Sequence, residues 1–390
     1  MKNTPGAIMI AAAFVFFFIS YGFVDPHLSI FSHTFLSGYE KTAVFLVYRM
    51  PWIAALLVLC SLALFFVGYR TALREAPPKR IRRVPGWLIA VVIISLLSFP
   101  ALSYDIFNYI ATAKLTFFYG ENPYVVMPVE IPNEPMLGYT RAANKLALYG
   151  PVWIILSSFP YIAGGWHHIG VIYSFKMFAL VFYLLCTYMI YRKTKRWESA
   201  LFFAANPLVL LEVLVNGHND IVMMVLAAGG LILWSKPSVY QKVAGLVLFA
   251  ASVFVKGATI ALVPLFFLPT SLSGGLGWSW EKKMKAAYIL MFLVFLVSPL
   301  REEMYPWYAV WWLVFAALIP ITKQSFIHGF SFWLSLGLML RYLPWIVTRE
   351  YGGITPITRI VLTVIPVGLY VWSYIYPYAR KWLNRYSKRV

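Results

Sequence analysis

Apolar runs of about 15–25 residues recur along this chain, separated by short polar loops, and they limit it to one kind of fold. In lipid every backbone N–H and C=O must be paired within the protein, so such runs fold as membrane-embedded helices. They lie near 7–24, 44–68, 87–103, 150–164, 168–191, 199–215, 220–234, 242–254, 257–268, 286–299, 307–321, 326–346 and 356–376. The alternation of a membrane β-barrel is absent from the sequence. The expected fold is therefore an all-α integral membrane bundle of about 12–13 membrane helices. With 61% hydrophobic and 12% charged residues, the chain has no long polar segment that could form a separate soluble domain. No internal repeat is visible, so residues 1–390 read as one domain. Residues 1–86 form two accessory helices, 87–320 the motif-bearing core, and 321–390 the C-terminal helices. Residues 7–19 resemble a signal-peptide core, but no small-residue cleavage site follows, and the reading is an uncleaved first helix.

The net charge of +19 raises the question of nucleic acid, but the basic residues sit in short loops between apolar runs, where they orient helices in a bilayer. Arg70, Arg74, Lys79, Arg80, Arg82 and Arg83 mark one such loop as cytoplasmic. Arg192, Lys193, Lys195 and Arg196 mark a second, Lys282, Lys283 and Lys285 a third, and Arg380, Lys381, Arg385, Lys388 and Arg389 the tail. Counting crossings from these anchors puts both termini inside and residues 104–149, the longest hydrophilic stretch, outside. The count also requires 150–164 to be a partial or surface helix, and 242–268 to be two short passes meeting at Lys256-Gly257. Asp105, His218 with Asp220, Lys256 and Tyr305–Tyr308 then all fall at the outer face, as one site. Cys60 and Cys186 both lie within apolar runs and imply neither a disulfide frame nor a metal site.

Residues 103–124 carry the strongest chemical signal. Asp105 follows an apolar run, and a carboxylate there is costly unless it faces water or a site. From Ile106 the spacing predicts an amphipathic surface helix, with Ile106, Phe107, Ile110, Ala113, Leu115 and Phe117 toward lipid and Asn108, Thr112, Lys114 and Thr116 away from it. Gly120 ends it, and Asn122-Pro123-Tyr124 turns the chain. Asp105 reads either as a general base or as a helix-capping acid. Lys256, between two short passes, suits a phosphate, or else it snorkels or pairs with an intramembrane acid such as Glu212. Asn216-Gly217-His218-Asn219-Asp220 offers a donor and an acceptor for a sugar or phosphate, with capping by Asn219 or Asp220 as the plainer role. A lone His-x-Asp makes no metal site. Tyr305-Pro306-Trp307-Tyr308 and Trp311-Trp312 read first as interfacial belt residues and second as a stacking surface for sugar or lipid. Arg301, Glu302 and Glu303 are candidate ligands beside them, while Lys176, His167, His168 and His328 have no evident partners.

Taken in order, these segments resemble the GT-C-fold glycosyltransferases that use polyprenyl-phosphate sugars, most closely the bacterial polyprenol-phosphate-mannose-dependent α-mannosyltransferases. The residues that carry the resemblance begin with Tyr104-Asp105, Tyr109 and Asn122-Pro123-Tyr124, then Tyr149-Gly150-Pro151-Val152-Trp153 and Asn206-Pro207-Leu208-Val209. Gly217-His218-Asn219-Asp220, Lys256-Gly257 and Pro306-Trp307-Tyr308 with Trp311 complete the set. The resemblance implies that Asp105 is the catalytic acid of the external loop and Lys256 lies near the lipid phosphate, with His218, Asp220, Tyr104, Tyr305 and Trp307 lining the substrate site. It implies a polyprenyl-phosphate hexose donor, a glycolipid or glycan acceptor and no cofactor beyond the lipid-linked sugar. One departure is Tyr305, where the family often has Gln. Transfer from a lipid phosphate needs one base, for the acceptor hydroxyl, because the leaving phosphate is already a weak base. Glycoside hydrolysis, by contrast, uses two carboxylates. Attack opposite the phosphate inverts the anomeric centre. A lipid-linked-sugar transporter or flippase would instead line a path with polar residues on both sides of the membrane. A protein O-mannosyltransferase or an aminosugar transferase shares most of these features.

Overall fold

The computed structural model describes residues 4–23, 37–76, 83–165, 167–268, 277–300, 303–322 and 325–386, and these are almost entirely helical. Lys79, Arg80, Arg82, Arg301, Glu302, Lys388 and Arg389 lie outside the described residues. Every apolar run read from the sequence contains helix in the structure, though 87–103 is helical only to Leu97 and 199–215 is broken before Pro207. Among the described residues six helices are long and apolar enough to cross a membrane: Thr4–Phe23, Pro51–Glu75, His168–Thr194, Trp280–Leu300, Phe326–Thr348 and Thr355–Pro377. A seventh forms if Trp197–Ala204 and Pro207–Val215, bent by 50°, count as one span. The remaining apolar helices, Gly86–Leu97, Pro151–Gly164, Asp220–Trp234, Val239–Val255, Gly257–Phe267 and Pro306–Leu318, are 10–17 residues long. The protein is thus a multi-pass membrane bundle that combines, among the described residues, 6–7 long spans with shorter apolar helices.

The short helices end where sequence breaks them. At about 1.5 Å per residue the 14-residue Pro151–Gly164 helix covers only about 21 Å, which suits the partial helix expected there. Gly86–Leu97 stops before Pro100, and extended chain leads to Asp105. Lys256 is extended (φ −160°, ψ 120°) and separates Val239–Val255 from the tighter turns of Gly257–Leu262, so the expected break falls at Lys256-Gly257. Close to this break Gly150 donates to the Val255 carbonyl at 3.1 Å. A Cβ on Gly150 would meet the Phe254 carbonyl oxygen at 2.1 Å, which is why glycine stands there.

The bundle has two distinct ends. Gly68 packs on Met9 and Pro5, and Gly6 on Trp87, so the end of the Pro51–Glu75 helix lies with the starts of the first helix and of Gly86–Leu97. At the opposite end Tyr21 donates to the Leu97 carbonyl at 2.8 Å, and the chain beyond Leu97 leads to Asp105. Arg70 and Arg74 therefore mark the end remote from Asp105.

The Asp105–Phe117 helix exists as expected, but its setting differs. Ile106, Phe107, Ile110, Ala113 and Leu115 are buried against protein and not open to lipid, and only Phe117 of the expected apolar face is exposed. Its polar face is covered by the loop that follows. Asn108 accepts from the Ala142 N–H at 3.2 Å, and Lys114 pairs with Glu134 at 2.8 Å. A helix covered on both faces is a fixed wall, which places Asp105 on rigid structure.

Candidate active site

The site is built on a change of helical pitch. Asn206 caps the segment after the bend, accepting from the Leu208 N–H at 3.0 Å. Leu210–Val215 then widens to an i→i+5 pattern, closed by the Asn216 N–H on the Leu211 carbonyl at 2.9 Å. Such widened turns often mark functional sites. Gly217 follows at φ +73°, where a side chain would be strained and a Cβ would lie 2.9 Å from Ile106 Cδ1. The expected tight turn is therefore present, and it aims the residues after it at the Asp105 helix.

His218 is fully buried between two carboxylates. Its Nδ1 lies 3.7 Å from Asp105 Oδ2 and its Nε2 3.3 Å from Glu212 Oε2, with neither contact reaching hydrogen-bond geometry. Glu212 is held firmly. Tyr342 donates to its Oε1 at 2.7 Å and Asn216 to its Oε2 at 2.8 Å. Asn216 in turn accepts from the N–H groups of Ala101 and Leu102, at 3.3 and 3.2 Å, and so ties the extended chain before Asp105 to the same cluster. Asp105 is the accessible member of the series, with 24% of its side chain exposed against none for His218 and Glu212.

The Pro306-Trp307-Tyr308 segment is not an interfacial belt. Trp307, Trp311 and Trp312 are buried. Trp307 stacks on His218 with ring centroids 4.1 Å apart, and Tyr305 stacks on Trp307 at 4.4 Å. Aromatic packing on the imidazole fixes the ring plane that the two carboxylates approach.

Lys256 and Asp220 form a second cluster. Lys256 Nζ lies 3.0 and 3.2 Å from the two Asp220 oxygens, and Trp311 Nε1 donates to Asp220 Oδ1 at 2.5 Å. Tyr308 stacks on Trp311 at 4.1 Å, and Lys256 Nζ lies 4.6 Å from the Tyr308 ring centroid. Asp220 is thus the acid paired with Lys256, and Glu212 is not. Asp220 opens the Asp220–Trp234 helix without capping it, and no side-chain cap comes from Asn219 either. Asn219 instead accepts from Tyr109 at 3.1 Å. Lys176, for which the sequence suggested no partner, donates to the Ser98 carbonyl, and buried His328 bonds Ser325 and the Ala316 carbonyl.

A cavity of about 300 Å³ opens over Asp105. Tyr104, Tyr305 and Trp307 line it with Asp105, as the sequence reading grouped them. Lys256, His218 and Asp220 do not line it. Sequence reasoning missed three basic residues that do: Arg141, Arg341 and Arg359. Glu303 accepts from Arg341 at 2.8 Å and from Arg359 at 2.6 Å, while Arg141 lies over the Tyr104 ring at 4.6 Å. Arg341 and Arg359 lie beyond the motif-bearing region, and only a basic residue at the Asp105 end of each C-terminal helix could have signalled them. Among the described residues no group of His, Cys, Asp and Glu could hold a metal ion.

The fold is that of a multi-pass membrane protein, and it holds an accessible carboxylate in a basic, aromatic-walled cavity. The family profile described as "Alpha-(1->6)-mannopyranosyltransferase, N-terminal domain" matches residues 8–271, and the chain belongs to this mannosyltransferase family, MptA/B, whose members depend on polyprenyl-phosphate mannose. The match covers about two thirds of the chain and ends before Tyr305 and Trp307. No curated protein and no solved structure matches the chain.

Proposed function

We propose that this enzyme transfers mannose from polyprenyl-phosphate mannose to a glycolipid or glycan hydroxyl at the extracytoplasmic face, with inversion, and that Asp105 is the base. The observation that carries the reading is the exposed Asp105 carboxylate on the floor of the 300 Å³ cavity. That size lies at the lower limit of small-molecule sites, roughly 300–1,000 Å³, which suits a sugar phosphate head whose lipid tail stays outside. Asp105 takes the proton of the acceptor hydroxyl as its oxygen bonds the anomeric carbon. The bond from that carbon to the phosphate oxygen breaks, and the electron pair leaves with the polyprenyl phosphate. An α product by single displacement requires a β-linked donor.

The donor phosphate is assigned to the arginines that line the cavity, Arg341 and Arg359 with Arg141. Guanidinium groups suit phosphate oxygens as paired donors. Glu303 holds Arg341 and Arg359 side by side in the cavity lining, whereas Lys256, the candidate from sequence, does not line the cavity and acts here through Asp220 by fixing the turn at Lys256-Gly257. His218 acts through Asp105. Held by Trp307 and backed by Glu212, it keeps the base oriented toward the cavity. The outward orientation rests on the basic loops at the other end of the bundle.

The test is transfer of radiolabelled mannose from synthetic β-linked polyprenyl-phosphate mannose by the purified protein, with Asp105→Asn beside it. Transfer by wild type with a loss of about 10²–10⁴-fold in the variant is expected for a general base. Near-normal transfer by Asp105→Asn would remove the assignment.

A further inference from the structure

A second cavity, of about 670 Å³, is at the end remote from Asp105. It lies between the end of the Pro51–Glu75 helix, the start of Phe326–Leu340 and the later turns of Thr355–Tyr386. Its two ends differ in chemistry. Arg70 and Arg74 stand one helical turn apart at the rim, and among the described residues neither makes an ion pair or hydrogen bond through its side chain. Ser325 and Ser373 add hydroxyls nearby. Glu198, the one acid of the lining, is already paired with Arg196, so the rim stays net positive. Phe332, Trp333 and Tyr374 supply apolar walls.

The outer wall faces lipid. Only 11% of the apolar window of Thr355–Pro377 is buried, and Leu369, Trp372 and Ile375 are more than half exposed on it (63%, 67% and 51%). This helix crosses Phe326–Leu340 so closely that a Cβ on Gly337 would lie 2.4 Å from the Thr363 carbonyl oxygen. A cavity with a basic rim, at membrane depth, and a wall open to the bilayer fits an amphiphile with an anionic head. Basic pockets between membrane helices at the cytoplasmic side hold anionic headgroups in this way.

We propose that this cavity binds one anionic phospholipid of the leaflet opposite the active site, with its phosphate against Arg70 and Arg74 and an acyl chain along Phe332, Trp333 and Tyr374. The site is independent of the transfer reaction, and its test does not use activity. The full chain is reconstituted in bilayers of phosphatidylcholine with and without phosphatidylglycerol, then released for native mass spectrometry and followed by thermal unfolding. Wild type is expected to retain phosphatidylglycerol in preference to phosphatidylcholine and to melt higher as its fraction rises. Arg70→Gln/Arg74→Gln is expected to retain one fewer anionic lipid and to lose the upward shift. Lys236→Gln/Lys282→Gln, which removes two exposed cations of the same end outside the cavity, is expected to keep both. Equal retention of the two lipids by wild type overturns the proposal, whatever the variants do. So does an unchanged shift in the arginine variant, or equal loss in the lysine variant. A shift given by inorganic phosphate in pure phosphatidylcholine would assign the rim to a soluble anion, and displacement of phosphatidylglycerol by stoichiometric polyprenyl phosphate would assign it to the carrier lipid. Either result also overturns it.

Discussion

Replacing Lys256 by Gln separates two roles for the most conspicuous cation in the sequence. In the structure its ammonium bridges both oxygens of Asp220, whose side chain is fully buried while that of Lys256 is 17% exposed. Removing one member of a buried pair leaves the other charge without compensation and costs about 3–5 kcal/mol. Trp311 remains on Asp220 Oδ1 and offsets part of this, so the lower end, about 3 kcal/mol, is expected. Removing both charges is different. In Lys256→Gln/Asp220→Asn the Asn oxygen still accepts from Trp311, no buried charge is left, and replacement of a buried ion pair is often nearly neutral. The double variant should therefore recover most of the loss, a coupling of about 2 kcal/mol or more between the two sites. Unfolding in one fixed detergent, read for wild type, both single variants and the double, supplies the cycle, and the donor KM of each is measured beside it. A double variant as unstable as Lys256→Gln would refute the pairing argument. A double variant of restored stability whose donor KM rises tenfold or more would return the phosphate to Lys256 and take it from the arginines.

Four further outcomes follow from the geometry. Arg341→Gln should raise donor KM by roughly 10–100-fold, the loss of a charged hydrogen bond worth about 1.5–3 kcal/mol, with acceptor KM unchanged; an unchanged donor KM would clear the cavity of its phosphate role. His218→Ala, which removes the ring between Asp105 and Glu212, should lower kcat by about 10²-fold with little change in donor KM, as expected when a base is displaced by about 1 Å, and steady-state kinetics reads the split. Gly217→Ala should cost about 1–2 kcal/mol through the left-handed backbone and the Ile106 contact, measured by thermal unfolding in detergent. Tyr119 donates to Glu134 at 2.7 Å, and this hydrogen bond, with burial second, pushes its phenol up to about 12 from 10.0. The contribution to holding the loop is complete below pH 10 and is lost as pH rises through about 12, and ultraviolet titration against Tyr119→Phe reads it as a late-ionising tyrosine.

The helices were legible because lipid leaves the backbone few options, so hydropathy alone located each apolar run from 7–24 to 356–376. The breaks were legible too, since Pro151, Lys256-Gly257 and Gly217 each announce an end or a turn. What lay against each face was not. Ile106, Phe107 and Ile110 have the same spacing on a helix facing lipid as on one facing protein, and only the covering loop decides. Partner choice was equally hidden: Glu212 and Asp220 are both buried acids, eight residues apart across the Gly217 turn, and the turn sends one to Tyr342 and the other to Lys256. Arg341, Arg359 and Glu303 come together from three separate segments, and such a meeting leaves no mark in local sequence. The Tyr305–Trp307–His218 stack shows the same limit, because aromatic residues at a helix start look alike whether they face headgroups or an imidazole.

The widened turn at Leu210–Val215 makes chain length itself a setting of the enzyme. Each residue added to or removed from an α-helix rotates everything downstream by about 100°. The extra residue held in this turn therefore sets the bearing of His218 and Asp220 about the helix axis, as the index of a dial sets what its pointer reads. Deleting one leucine or valine from this segment would let it relax to an ordinary helix, still apolar enough for its setting, and swing the histidine away from Asp105 and Glu212. Two chains of this kind could then share every polar side chain and differ in whether those side chains ever meet.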